Sequence, residues 1–264
     1  MSEIVTRSAT SSSVARAFEL LDLVAAAPDG IALGQLAAAV PTAKSTTHRY
    51  VMTLLDLGAL RRDARGRLTL GLKLVELAGA LLDGDDLHAA ADPVLHELVA
   101  QTGETVHLGI PSDGHVVYVA KVESPQSVRL VSRVGARVAL HCSAMGKALM
   151  ARMGEESLDA ALAHPRTSRT VHTIVDETAM RAELEKVRVA GVAIDDEENE
   201  LGVRCLGAVI VDPRAGSLGA ISVSAPAARM SHERCAEVAP AVISAAEEIA
   251  RRLGRPIPRS HEES

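Results

Sequence analysis

The stretch from Pro41 to Gly58, PTAKSTTHRYVMTLLDLG, constrains this chain more than any other. Its pattern predicts a helix. Pro41 and Thr42 suit the entry, where Pro needs no donor and Thr can cap. Gly58 suits the exit, where the chain turns left-handed. At helical spacing Thr47, Val51, Leu54 and Leu55 share one face, and Lys44, Ser45, His48, Arg49 and Met52 share the other. That second face is polar and cationic and carries no carboxylate. It suits a surface laid against phosphates and base edges. A solvated amphipathic helix has the same pattern, so the flanking sequence must decide.

The flanks favour a reader of nucleic acid. Upstream, Val14–Ala27 reads as a helix capped by Ser12 or Ser13, with Val14, Ala17, Phe18, Leu21 and Val24 on one stripe. Pro28-Asp29-Gly30 is a turn and residues 33–39 a short second helix. Two helices so spaced, the second longer and polar-faced, form the helix-turn-helix pattern. Downstream, residues 59–70 (ALRRDARGRLTL) read as two short strands around an Arg/Gly turn, a basic hairpin where a winged helix carries its wing. Charge supports this. The net charge is −6, but residues 40–73 hold seven basic side chains against two acidic ones. A basic island on an acidic chain implies a local polyanion contact. The expected contacts are Lys44, Ser45, Thr46, His48 and Arg49 from the helix, with Arg61, Arg62, Arg65 and Arg67 from the wing. Arg49 is the best match to a guanine edge. Ser45 and Thr46 suit phosphates at the helix N-terminus.

The apolar helix Leu72–Leu82 exposes too many large residues (Leu72, Val75, Leu81, Leu82) for one small winged domain to cover, which predicts packing on a second chain. Asp83-Gly84-Asp85-Asp86 breaks it, and residues 87–102 form another helix ended by Gly103. A different texture follows. Residues 104–110, 115–122, 127–131, 192–194, 203–211 and 218–224 are strand-like. Residues 142–153, 155–163, 177–189 and 232–253 are helical, with an irregular loop at 164–173. This alternation predicts a separate α/β sensor domain. Residues 1–11 and 259–264 read as polar, disordered ends.

Three cysteines without a CxxC spacing (Cys142, Cys205, Cys235) argue against a disulfide framework or a structural zinc site. No signal peptide or membrane span is evident, so a cytoplasmic protein is expected. No phosphate loop or metal spacing calls for a cofactor, and none is expected.

The order of these segments resembles the isocitrate-lyase-regulator (IclR) family of bacterial transcription factors along nearly the whole chain. The matching pieces are SVARAFELLDLV, AKSTTHRYVMTLLDLGAL, RLTLGLKLVELA, TGETVHLGI, VVYVAKVES, GARVALHCSAMGKALMA, GVAIDDEENELGVRCLGAVI and GAISVSAPAAR. The resemblance implies an α+β fold: a winged helix-turn-helix DNA-binding domain over residues 1–70, a linker helix over 71–86 and a GAF-like α/β effector domain over 87–257. It also implies a homodimer or homotetramer on a palindromic double-stranded DNA operator, usually as a repressor, tuned by a small-molecule effector. In relatives that sense glyoxylate or pyruvate, an acidic residue, a cysteine and two serines line the pocket. The matching positions are Asp195, Cys205, Ser222 and Ser224, with Val138, Ala144, Met145 and Val203 as neighbours. At Ala144 and Met145 the chain departs from the family pattern, which has smaller residues there. The start of the helix at Ser143-Ala144-Met145-Gly146 also offers free N–H groups to a carboxylate.

Ser222 and Ser224 are two apart, so they share a strand face opposite Ile221 and Val223. The scarcity of aromatic residues (one Phe, two Tyr, no Trp) favours a compact polar ligand over an aromatic acid. Other readings stand beside these. Ser222 and Ser224 fit ordinary strand hydroxyls, Cys205 a small buried hydrophobe, and Asp195-Asp196-Glu197-Glu198 a solvated loop or a cation site. Cys205, His141 and Asp195 also fit a thiol triad, although an N-terminal DNA-binding module makes an enzyme the weaker reading.

Overall fold

The computed structural model describes residues 13–83, 86–212 and 216–254. The expected polar ends, the Ser12 cap and the Gly84-Asp85 break lie outside these residues. The chain divides into two compact units, residues 1–84 and 85–264.

In the first unit, α1 (Ser13–Ala25), α2 (Leu33–Ala39) and α3 (Lys44–Asp56) pack around Leu20, Leu36, Val51, Leu60 and Leu68. The α1 stripe differs from expectation. Leu20, Leu21 and Val24 are buried, whereas Val14 and Phe18 are both 63% exposed. The helix α3 starts at Lys44, three residues later than Pro41. Its N-cap is Ala43, so Thr42 does not cap it. Gly58 closes α3 at φ +71, as its left-handed role requires.

Strands β1 (Leu60–Arg62) and β2 (Leu68–Leu70) pair antiparallel as the expected hairpin. Its turn is built by Asp63, whose Oδ1 accepts the Arg65 and Arg67 N–H groups, each at 2.8 Å, while Gly66 takes φ +74. Helix α4 (Lys73–Asp83) follows. A Cβ on Gly71 would sit 2.0 Å from the Gly58 carbonyl oxygen, and Lys73 N–H donates to that same oxygen. Two glycines thus let the root of α4 lie directly on the end of α3. Leu72, Val75, Leu77 and Leu81 are exposed. The side chain of Leu82 is outside the described residues.

The second unit holds a six-stranded antiparallel sheet among the described residues. It consists of β3 (Thr105–Ser112), β4 (His115–Val122), β5 (Arg137–Ala139), β6 (Ala193–Asp196), β7 (Val203–Asp212) and β8 (Gly216–Pro226). The order is β5-β4-β3-β8-β7-β6. Each strand alternates, so the sheet has two unlike faces. One is apolar (Val106, Leu108, Leu206, Ile221, Val223) and is covered by α5 (Asp86–Thr102) and α9 (His232–Leu253). The other is covered by α6 (Ala144–Met150) and α8 (Glu177–Ala190), with α7 (Glu155–Leu162) beside them.

Residues 127–131 form no strand. Val131 is fully exposed, and the edge of β4 is taken by β5 instead. The segment is held as a loop, with Lys121 Nζ donating to the Ser132 carbonyl at 2.8 Å. The helix expected over 142–153 is shorter, spanning only Ala144–Met150.

Candidate functional site

On the first unit, the solvent face of α3 presents Lys44, Ser45, His48 and Arg49, all exposed, with Thr46 half-buried. The opposite face, Thr47, Val51 and Leu54, is buried. Seating these three in the core fixes the direction of the cationic face. The Arg49 guanidinium lies 6.0 Å from the Tyr50 ring centroid, which steadies an otherwise free side chain. On the wing, Arg61, Arg62 and Arg65 are exposed. Arg61 Nε donates to the Leu70 carbonyl and Arg62 Nη1 to that of Gly66, each at 3.2 Å. Arg67 differs. It is half-buried and its Nη2 donates to the Gly30 carbonyl at 2.5 Å, so it braces the wing against the 28–30 turn rather than facing outward.

On the second unit, the strand register gathers polar residues onto the face under α6. Asp195 (β6) pairs with Cys205 (β7), Cys205 with Ser224 (β8), and Ser224 with Thr105 (β3). One step along, Gly207 pairs with Ser222, and Ser222 with His107. Asp195, Cys205, Ser222 and Ser224 are therefore neighbours, as expected from their positions. Val203 lies two residues from Cys205 on the same face of β7. Val138 does not join them. It sits on β5, four places along the sheet from β7, and packs with Val116 and Tyr118.

The residues Ala144 and Met145 press on the sheet through glycine. A Cβ on Gly207 would lie 2.6 Å from Ala144 C and 2.7 Å from Met145 N, and one on Gly109 would lie 3.0 Å from Met145 Sδ. This seats α6 as a roof over the row. Its N-terminus is covered by Gly207, and its cap is internal, with Ser143 Oγ accepting from Gly146 N–H at 3.2 Å.

Asp195 is 3% exposed, and its Oδ1 accepts the N–H groups of Glu198 (2.9 Å) and Asn199 (3.2 Å). Burial, with Glu198 nearby, still lifts its carboxyl to about 7, because the charged form loses more solvation than those bonds return. Burial and the Asp195 charge also push the Cys205 thiol up, and burial raises Cys142 to about 12. A thiolate nucleophile is therefore disfavoured. His141 Nε2 donates to the Thr167 carbonyl at 3.1 Å and serves no thiol, so the triad reading finds no support. Among the described residues no three His, Cys, Asp or Glu side chains converge as metal ligands.

Four residues of this face were not singled out from sequence. Lys147 of α6 is fully buried and bridges Glu198 and Glu183, the latter at 3.3 Å. The imidazole of His107 stacks on Tyr118 with centroids 4.5 Å apart. Tyr118 is the single ring of FWY type in this unit, so an overall scarcity of aromatics gave no guide to the composition of the site. The fourth is Thr105, whose Oγ1 accepts the Ser124 N–H. The alternation Thr105-Val106-His107-Leu108 on a central strand was a readable signal for two of them. A buried lysine has none. A groove of about 310 Å³ between α5 and α9 lies on the other side of the sheet, and its polar rim (Glu97, Glu248, Arg251) faces solvent rather than converging.

Comparison with known proteins agrees with this architecture. Residues 13–64 match the IclR helix-turn-helix domain, and residues 79–251 match the bacterial transcriptional regulator IclR C-terminal domain. The HTH-type transcriptional regulator KdgR of Dickeya chrysanthemi is 33% identical over 92% of this chain and 80% of its own length. The transcriptional repressor IclR of Escherichia coli is 31% identical over 90% and 88%. The crystal structure of Thermotoga maritima IclR superposes with a TM-score of 0.75 at 32% identity, covering 92% of this chain and 99% of that one. No helix among the described residues is long and apolar enough to cross a membrane. The two matched domains together span most of the chain, and it belongs to the IclR family of bacterial transcriptional regulators.

Proposed function

We propose that this regulator is a repressor that binds a palindromic operator as a homodimer or homotetramer and is tuned by a small organic acid of the 2-oxo type. In this reading residues 1–70 bind DNA, 71–86 link, and 87–257 bind the effector. The observation that carries it is the pairing of a carboxylate-free cationic helix face on one unit with a buried polar row on the other. Lys44, Ser45, Thr46, His48 and Arg49 would enter the groove, while Arg61, Arg62 and Arg65 hold phosphates. Arg67 keeps the wing in place. The exposed apolar residues of α4, with Val14 and Phe18, supply a surface for a second copy. Asp195, Cys205, Ser222 and Ser224 would hold the acid beneath α6, with Ala144, Met145 and Val203 shaping the space.

The DNA assignment is tested by titrating an operator fragment at several salt concentrations. Arg49→Ala is expected to cost about 1–3 kcal/mol and relax base preference. Arg65→Ala is expected to weaken all sequences alike and reduce the salt slope by about one. Unchanged affinity and slope in both variants would remove the assignment. The effector assignment is tested with pyruvate or glyoxylate, which should lower operator affinity in the wild type and not in Asp195→Ala.

A further inference from the structure

We infer that His107 and Tyr118 form a second, uncharged half of the ligand site, and that its ligand is a carboxylic acid bearing hydroxyl groups on a chain longer than pyruvate. This rests on the reading of the Asp195 row as a ligand site and narrows what fits it.

The first observation is an orphaned nitrogen. His107 is 1% exposed, beside Ser222 in the strand register. Its Nε2 lies 2.7 Å from Ser132 Oγ, but its Nδ1 is buried without a hydrogen-bond partner among the described residues. Buried polar atoms are rarely left so. Burial, reinforced by the Lys121 charge, lowers the imidazole to about 3 and keeps it neutral. One ring nitrogen then donates and the other accepts. Ser132 Oγ can donate or accept, so either tautomer can form and Nδ1 can present an N–H or a lone pair. A hydroxyl meets both forms, whereas a carboxylate or keto oxygen meets only the Nδ1–H form.

The second observation is independent. The Tyr118 ring stacks on the His107 imidazole with centroids 4.5 Å apart, and burial, with Asp195 among its neighbours, raises its phenol and keeps it neutral. The neutral imidazole, with its unpartnered Nδ1, and the neutral phenol thus lie side by side on the face that also carries Asp195.

The third is span. His107 and Asp195 are three strands apart in the order β3-β8-β7-β6, about 14 Å across at the usual strand spacing. A two- or three-carbon oxo acid held at Asp195 stops short of His107. A longer hydroxylated chain reaches both.

The test is calorimetric titration of the full chain with gluconate, hexanoate and pyruvate. These separate hydroxylation from length. The wild type is expected to bind gluconate at least about tenfold more tightly than either of the others. Gln at position 107 keeps a donor or acceptor near Ser132 Oγ and removes Nδ1. His107→Gln should therefore weaken gluconate by about tenfold and leave pyruvate unchanged, as should the nearly isosteric Tyr118→Phe. A gluconate-specific shift of the His107 Nδ1 resonance in 15N spectra of the wild type reads the same contact without a substitution. If gluconate is not preferred, or both variants keep the preference and the resonance does not move, the inference is overturned while the Asp195 site stands. If none of the acids binds, the Asp195 reading fails and this one falls with it.

Discussion

Replacing Asp195 with Asn isolates what a buried carboxylate does to this fold. The side chain is 3% exposed, and its carboxyl is raised from 3.8 to about 7 by burial and by Glu198, against the two backbone N–H bonds that favour its charge. A folded-state value above the unfolded one stabilises the protein only while the group is protonated. That contribution is complete below about pH 4 and is lost as pH rises through 7. At about 1.4 kcal/mol per pKa unit, a shift of about three units gives a ceiling of about 4 kcal/mol. Asn carries no charge and keeps an oxygen where the N–H groups of Glu198 and Asn199 donate. Relative to wild type, Asp195→Asn should then be neutral near pH 4, about 1–2 kcal/mol more stable at pH 5 and up to about 4 kcal/mol more stable at pH 8. The last figure corresponds to a melting shift on the order of 10 °C. Urea unfolding followed by far-UV circular dichroism at pH 5 and pH 8 measures it. A difference that is the same at both pH values, or a variant less stable at pH 8, would show that the carboxylate sits charged without penalty. The same logic reaches binding. An acidic ligand should favour protonated Asp195, so its affinity should fall above pH 7 in the wild type and stay flat in the variant.

Three further outcomes follow from the packing. Gly71→Ala places a methyl 2.0 Å from the Gly58 carbonyl oxygen. It should cost about 1–3 kcal/mol in the melting of the first unit and more than about tenfold in operator affinity, and neutral behaviour in both would refute the contact. Lys147→Met leaves Glu198 buried and unpaired, so it should destabilise by about 3–5 kcal/mol in urea. Adding Glu198→Leu should recover most of this, and failure to recover would show that the pair is not the cause. Cys142, fully buried and held as a thiol, should resist a disulfide reagent at pH 8 in the folded protein and react after unfolding; rapid labelling would contradict the burial that raises it.

The parts of the fold that were legible in sequence are those written locally. Gly58, Gly103 and Gly191 each mark a left-handed helix exit. The Arg/Gly hairpin and the alternation at Ser222 and Ser224 likewise follow from neighbours two to four residues apart. Beyond helix ends that shift by a few residues, the failures involve a distant neighbour. Phe18 fits the α1 stripe as well as Leu20 does, but the core formed by Leu36, Val51 and Leu68 lies toward Leu20. Residues 127–131 have strand composition, yet the edge they would join is used by Arg137–Ala139. Lys147 looks like a solvated helix position, and only Glu198, fifty-one residues on, makes it internal. The row Asp195-Cys205-Ser224 was reachable only through resemblance, because no spacing within one strand reveals what the next strand places beside it.

The position of Asp195 explains how a small acid could move a structure this well packed. Its carboxyl holds the backbone of Glu198 and Asn199. The Glu198 side chain holds Lys147 on α6, and Lys147 also reaches Glu183 on α8. The Glu197 and Glu198 carbonyls accept from Thr170 and Thr173 of the 164–173 loop, each at 2.7 Å. One turn of chain therefore ties the acidic end of the row to its roof, to the helix behind that roof and to the loop beside it. A ligand bound elsewhere on the sheet would add its own contacts and little more. A ligand that protonates or displaces Asp195 alters the anchor of all three elements together. An effector can shift an equilibrium only by its unequal affinity for two states. Few positions in this unit offer such inequality from so small a change, and the raised Asp195 carboxyl is the part of the row whose charge a bound acid would reset.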